Sequence, residues 1–269
     1  MTLLKSSIKS CFGALGLEIK RRTPSCGAVA EPPFSTLQEV LLLFQASGFS
    51  PTEIYDIGAN RGSWTRSVMR IFPSSSYLLV EPQEHLRGEV ADLLANPRIS
   101  LLHCAVSDHS GHAKFSRSSW DVTSHLVTRE NSEKSQDNEQ VFEIEVMTIG
   151  DLMAKRGRVP DLIKIDAEGF DLQVIEGARE AFGKTEMFLV EAGLASQSMK
   201  NDVITVVNRM DAAGYRLAAI TDINTYQWPP QSHSPGLQWL ADLAFLRKDG
   251  AILAALREPK QDRIKVVRW

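Results

Sequence analysis

The chain has 269 residues, of which 43% are hydrophobic and 23% charged, an ordinary globular composition with room for one large α/β domain or two small ones. Its formal net charge of −3 argues against a dedicated nucleic-acid binder, which usually carries a basic footprint. Three cysteines, Cys11, Cys26 and Cys104, form an odd set without a CxxC pair; neither a disulfide framework nor a zinc site is indicated, and free thiols point to a reducing, cytoplasmic setting.

The first 22 residues set basic side chains around a short, broken apolar segment, which makes a poor signal peptide. They read as a loosely docked helix, with weak contact to a membrane surface as the alternative. No run of about 18 apolar residues occurs, so no transmembrane helix is expected. Residues 23–35, rich in Pro, Ser and small residues, read as a linker. A first helix follows, with Leu37, Val40, Leu41 and Phe44 at helical spacing, a Thr36–Glu39 capping box and Gly48 as its stop.

From there short apolar runs alternate with helical patterns. Strands are predicted over 54–57, 77–80, 99–106, 161–166, 186–192, 215–220 and 240–247. Helices are predicted around Trp64 to Phe72, over 84–95 and 172–180, and from Val203 to Met210. This alternation predicts a doubly wound, mostly parallel sheet. The last two strands are joined only by a loop, which permits an antiparallel hairpin at one edge. Residues 107–147 interrupt the rhythm: 113–116 and 141–149 look like strands around a long polar stretch. A long stretch of that kind inside a compact domain is usually functional or disordered.

The stretch YDIGANRG, residues 55–62, is the most informative. An apolar strand ends in Asp56, and Gly58 and Gly62 allow a sharp turn and a close approach before the next helix. Strand, glycine turn and helix start together make a ligand cradle in open α/β sheets. The glycines stand four apart, without the G-x-G-x-x-G that brings backbone to a pyrophosphate. The acid at the strand end suits a cationic head such as the ammonium and sulfonium of S-adenosylmethionine. Glu81, 25 residues after Asp56 at the end of the next strand, can accept hydrogen bonds from ribose hydroxyls. Asp166 and Glu168, in KIDAEG, follow a further strand on the same edge; they can bind an ammonium, orient a hydroxyl or act as a general base. Glu191 is a weaker candidate there. His85 is placed near the nucleoside and His125 near substrate, while His103 reads as a core residue and His109 and His112 as exposed. No histidine shows metal-ligand spacing, so no metal is expected.

These blocks resemble the FkbM family of S-adenosylmethionine-dependent methyltransferases. The resemblance spans roughly residues 50–250 and rests on YDIGANRGSWT, LLVEPQ, CAVSD, MTIGDL with IKIDAEGFDLQVIEGA, and ADLAFLRK in that order. Ala167 stands where the commoner family form has valine. The resemblance implies a class I methyltransferase fold, a seven-stranded Rossmann-like sheet with its last strand reversed, and methyl transfer to a hydroxyl on a sugar, glycan or secondary metabolite. It implies a cofactor loop of Asp56, Gly58, Asn60 and Gly62, a ribose contact at Glu81 beside Pro82, Ala105 and Val106 by the adenine, and Asp166 by the methionine part. On this reading residues 1–35 are a basic segment and linker, 36–250 the methyltransferase domain with 107–147 as its substrate-facing insertion, and 251–269 a basic extension. An NAD-type oxidoreductase and a non-catalytic binding module are the alternatives.

Overall fold

The computed structural model of the chain describes residues 36–117, 125–126, 140–194, 201–226 and 237–257; expectations for residues 1–35, including Cys11 and Cys26, lie outside them. The strands β1 (Glu53–Ile57), β2 (Ser76–Val80), β3 (Ile99–Leu102), β8 (Leu162–Ile165), β9 (Met187–Gly193), β10 (Tyr215–Tyr226) and β11 (Leu237–Arg247) form one sheet in the order β3-β2-β1-β8-β9-β11-β10. All pairings up to β9 are parallel. β11 runs antiparallel to both β9 and β10, so it alone is reversed and the expected edge hairpin is present.

The apolar runs are strands because both faces of the sheet are covered, so side chains of either parity are buried. Ile54, Tyr77, Leu79, Leu162 and Leu189 join one core with α1 (Thr36–Ala46), α2 (Ser63–Met69) and α7 (Ala251–Arg257). Tyr55, Ile57, Leu78, Val80, Ile163 and Ile165 join the other with α4 (Ile149–Arg156), α5 (Asp171–Glu176) and α6 (Val203–Ala212). Each such side chain contributes roughly 1.5–3 kcal/mol of hydrophobic stabilisation. From β1 the chain winds outward to β2 and β3, and later returns to β8 on the other side of β1. That change of direction opens a crevice at the carboxyl ends of β1 and β8.

Several boundaries differ from expectation. The run 99–106 is not one strand: after β3 the chain turns at His103, and Ala105–Val106 becomes β4 of a second sheet. That sheet, ordered β4-β7-β5-β6, is built by β5 (Gly111–Arg117), β6 (His125–Leu126) and β7 (Gln140–Met147). The insertion therefore carries a folded sheet, with residues 118–124 and 127–139 outside the described part. The run 141–149 stops at Met147, because Thr148 caps α4, a helix not foreseen; Thr148 and Asp151 form a reciprocal capping box. The helix predicted over 84–95 is a 3₁₀ segment (Glu84–Val90) followed by α3 (Ala91–Leu94). The one over 172–180 ends at Glu176, followed by a 3₁₀ turn at Arg179–Ala181. In the expected C-terminal extension, α7 buries Ile252 and Leu253.

Candidate functional site

The crevice holds a cavity of about 390 Å³, within the usual range for a small-molecule site. Its wall includes Gly58, Asn60, Glu81, Pro82, Ala105, Val106, Asp166 and Glu168, eight of the ten residues proposed from sequence. The other two, Asp56 and Gly62, do not line it.

Gly58 has φ +76, and a Cβ on it would lie 1.8 Å from the Asp166 carbonyl oxygen. The turn after β1 and the segment after β8 can meet only because this residue lacks a side chain. The N–H groups of Gly58 and Ala59 both donate to the Val80 carbonyl, at 3.0 and 3.1 Å, fixing the turn to the end of β2. Gly62, at φ +72, permits a different approach: its Cβ would meet Leu93 at 2.6 Å and Val90 at 3.0 Å. It serves the packing of the start of α2 against the 3₁₀ segment and α3.

Glu81 is 4% exposed. Its Oε2 accepts from Asn60 N–H at 2.8 Å and its Oε1 from Gln83 N–H at 3.0 Å. Burial raises its pKa, while these two N–H bonds pull it down. The Gln83 side chain bonds it as well, so of the roughly four acceptor positions of a carboxylate about one remains for a ligand.

Beneath the cavity floor lies a charge cluster. Asp56 is fully buried; its Oδ2 accepts from Thr65 Oγ1 at 2.6 Å, and its Oδ1 lies 3.5 Å from Lys164 Nζ. The sequence reading pointed Asp56 at the ligand. Here it turns inward, because the neighbouring β8 offers a buried ammonium at the same level, with Asp56 and Lys164 in register. Lys164 also donates to Asp166 Oδ2 at 2.9 Å and to the Gly58 carbonyl at 3.2 Å. Burial works against its charge, but Asp166 and Asp56 outweigh that and its pKa stays above the ordinary lysine range. Sequence reasoning missed Lys164; its one signal was a cation in an otherwise apolar strand.

Asp166 is about a third exposed in its side chain and faces the cavity above this cluster. Glu168 is in the left-handed region, φ +49. Burial first, then Asp166 and Asp171, push its pKa up to about 8. Glu191 sits within β9 opposite Asp242 of β11 and is not part of the cavity wall. Burial and the surrounding carboxylates raise Glu191 to about 9 and Asp242 to about 7.

The other end of the cavity is apolar. Val80, Cys104, Ala105, Val106, Phe115 and Phe170 line it. Phe115, from β5 of the second sheet, is backed by Phe142 of β7 at a centroid separation of 5.5 Å. The insertion thus walls the Ala105–Val106 end of the crevice, a contribution the sequence signalled only as an aromatic residue in a strand-like run. His85 is exposed and outside the wall, and His103 bonds through Nδ1 to the Glu81 carbonyl at 3.2 Å. His109 and His112 are exposed as expected, and the backbone of His125 pairs with Ser116. Among the described residues no group of His, Cys, Asp and Glu could hold a metal ion, and no helix is long and apolar enough to cross a membrane.

The sequence model of the methyltransferase FkbM domain matches residues 56–217. Similar solved structures include the methyltransferase FkbM from Methylobacillus flagellatus KT, at 16% identity and TM-score 0.47, covering 72% of this chain and 44% of that one. The chain therefore spans less than half the length of that protein. A precorrin-6y C5,15-methyltransferase from Geobacter metallireducens GS-15 is 13% identical at TM-score 0.42, over 82% of this chain and 93% of that one. The 1,6-didemethyltoxoflavin-N1-methyltransferase of Burkholderia thailandensis, with bound 1,6-didemethyltoxoflavin and S-adenosylhomocysteine, is 12% identical at TM-score 0.43, over 91% and 88%. No curated protein matches the chain.

Proposed function

The chain belongs to the FkbM methyltransferase domain family, and from that premise we propose that it transfers a methyl group from S-adenosylmethionine to a hydroxyl oxygen of a sugar, glycan or secondary metabolite. The observation that carries the reading is the polarity of the crevice. One end is apolar and suits an adenine, the Glu81 carboxylate on the wall suits a ribose hydroxyl, and Asp166 suits an ammonium. The wall offers carboxylates where a pyrophosphate would need donors, which disfavours the nicotinamide alternative.

When bound, S-adenosylmethionine supplies a methyl group already activated by its sulfonium. The residues need only orient the partners and remove a proton. Glu81, locked by Asn60 and Gln83, would hold the ribose. Asp166, kept in place by Lys164, would face the methionine part. Asp56 would not touch the ligand; it would hold Lys164. Glu168 would take the acceptor's hydroxyl proton, and its pKa of about 8 lies close to the working pH, where a general base is most effective. Holding the acceptor oxygen at attack distance accounts for the rest of the rate. The net charge of −3 and the acidic wall favour a small molecule or glycan over a nucleic acid, whose phosphates they would repel.

The test is transfer of labelled methyl from S-adenosylmethionine to a panel of polyhydroxylated acceptors, with the product's methyl position read by mass spectrometry. Label on oxygen, lost in Glu168→Gln by roughly 100-fold, supports the reading. Label on nitrogen rejects the acceptor assignment. Absence of calorimetric binding of S-adenosylhomocysteine would favour a non-catalytic module.

A further inference from the structure

The turn carrying Glu168 is held from behind by two buried polar side chains that have so far been given no task. Glu168 and Gly169 are successive left-handed residues, with φ +49 and +91. A glutamate persists in that region only when its surroundings over-determine it. The surroundings here are Asp171 and Asn201, both 0% exposed. Asp171 Oδ1 accepts from Ala167 N–H at 3.0 Å, and its Oδ2 accepts from Gly169 N–H at 3.2 Å. One carboxylate thus grips the backbone on both sides of Glu168. Asn201 Nδ2 donates to the same Oδ2 at 2.9 Å and to the Glu191 carbonyl of β9 at 3.3 Å. Asn201 is itself tied to β9, its carbonyl accepting from Gly193 N–H at 3.0 Å.

We propose that Asp171 and Asn201 are positioning residues, a clamp that fixes the turn of residues 167–169 to β9 and so presents Glu168 to the cavity. The proposal rests on Glu168 being the base, but its geometry stands apart from that reading. Among the described residues no cation pairs with Asp171, and a buried carboxylate so placed is costly unless N–H donors offset it. The N–H groups of Ala167 and Gly169 and the Asn201 amide converge on Asp171, and the two from the turn are explained by no requirement of α5 itself. The clamp also has an electrical side. The charged groups acting on Glu168 are Asp166, Asp171 and Lys164 from β8 and the α5 start and Glu81 from the end of β2, and Glu191 of β9 feels Glu168 in turn. Asp171 is among those that hold the Glu168 proton on.

The test needs no acceptor. Amide exchange at Ala167 and Gly169 and the carboxyl titration of Glu168, by NMR on ¹³C-glutamate-labelled full chain, are compared in wild type, Asp171→Asn and Asn201→Ala. Glu168→Gln identifies the Glu168 signal by its loss. Asp171→Asn is expected to speed exchange at both amides about tenfold or more and to lower the Glu168 midpoint by about half a pH unit or more. Asn201→Ala is expected to speed exchange while leaving the midpoint within about 0.3 unit, since it removes no charge. A merely structural role would not separate the two variants in this way. Unchanged exchange in both, or a midpoint unmoved in Asp171→Asn, overturns the clamp. Unaltered protection in β1 and β2 serves as the folding control. Should Asp171→Asn not fold, faster exchange at Ala167 and Gly169 in Asn201→Ala supports the clamp and wild-type exchange rejects it. If instead Glu168→Gln still transfers methyl, the base assignment fails while exchange and titration continue to decide the clamp.

Discussion

Lys164 is the residue on which the charge balance of the site turns. It is 5% exposed and lies between two carboxylates, Asp56 and Asp166, and is the cation that pairs with both among the described residues. Removing one partner of a buried ion pair costs about 3–5 kcal/mol, because the remaining charge keeps its desolvation penalty. Lys164→Met should destabilise the fold by about that amount in urea titrations, and adding Asp56→Asn should restore part of it. A single variant that melts like wild type would show that Lys164 is dispensable. Its pKa is raised by folding, so its contribution is complete below the unfolded lysine value and undiminished at neutral pH. Folding raises the pKa of Glu168 as well, but its window falls across neutral pH. The folded chain holds its proton to about 8 against an ordinary value of 4.5. Between those values the native state binds more protons than the unfolded one, so stability falls as pH rises. Glu168→Gln should therefore gain on wild type in thermal melts from pH 5 to pH 8, by roughly 1–3 kcal/mol once partial exposure is allowed for. A pH-independent difference would contradict the shift. At this scale the acids were legible, because each ends an apolar run, but their directions were not. Whether Asp56 faces ligand or interior depends on what β8 brings alongside it, and that pairing is not written in either segment.

Turns and caps set the geometry one level up. Gly58 makes the turn after β1 at φ +76. A Cβ there would strike the Asp166 carbonyl, so Gly58→Ala should lower the melting temperature as well as S-adenosylhomocysteine affinity. Left-handed φ alone accounts for about 1–2 kcal/mol of that loss. Retained stability with lost affinity would show that the turn accepts a side chain and that only the ligand requires its absence. The start of α4 gives a cleaner case. Thr148 Oγ1 accepts from Asp151 N–H at 3.0 Å, and Asp151 Oδ2 accepts from Thr148 N–H at 2.9 Å. Thr148→Ala should cost about 1 kcal/mol, within the 0.5–2 range for lost caps, in equilibrium unfolding. The T-x-x-D pattern announcing this cap was present in the sequence, but the β-prone run before it carried the strand reading through residue 149. The split between β3 and β4 was less legible. ISLLHCAV is uniformly strand-like, and only the arrival of β7 beside Ala105 and Val106 assigns its second half to another sheet.

At the scale of the whole molecule the two cores and the crevice are separate consequences of one winding pattern. Alternating strands and helices made the doubly wound sheet legible from apolar periodicity, since burial on both faces favours parallel pairing; the reversed β11 came from the family resemblance, periodicity only permitting a hairpin at that edge. The cavity's size, and the wall supplied by Phe115, depended on how the insertion folds back, which periodicity does not encode. Because the crevice lies where β1, β2 and β8 end together, a ligand seated in it would bind only the assembled sheet. Binding to the native state alone stabilises by RT ln(1 + [L]/Kd), about 2.7 kcal/mol at 100 times Kd. For a domain of this size that corresponds to a rise of about 5–10 °C in Tm. S-adenosylhomocysteine should give such a shift, and NADH at the same concentration none. Glu81→Ala should weaken the ligand by about 1–3 kcal/mol through lost charge-assisted hydrogen bonds. At an unchanged ligand concentration a 2 kcal/mol loss would leave about a third of the stabilisation. Differential scanning calorimetry with both ligands on both proteins decides the matter. A full shift retained in Glu81→Ala would remove Glu81 from the binding site, and an equal shift with NADH would reopen the choice of cofactor that the acid-lined crevice argues against.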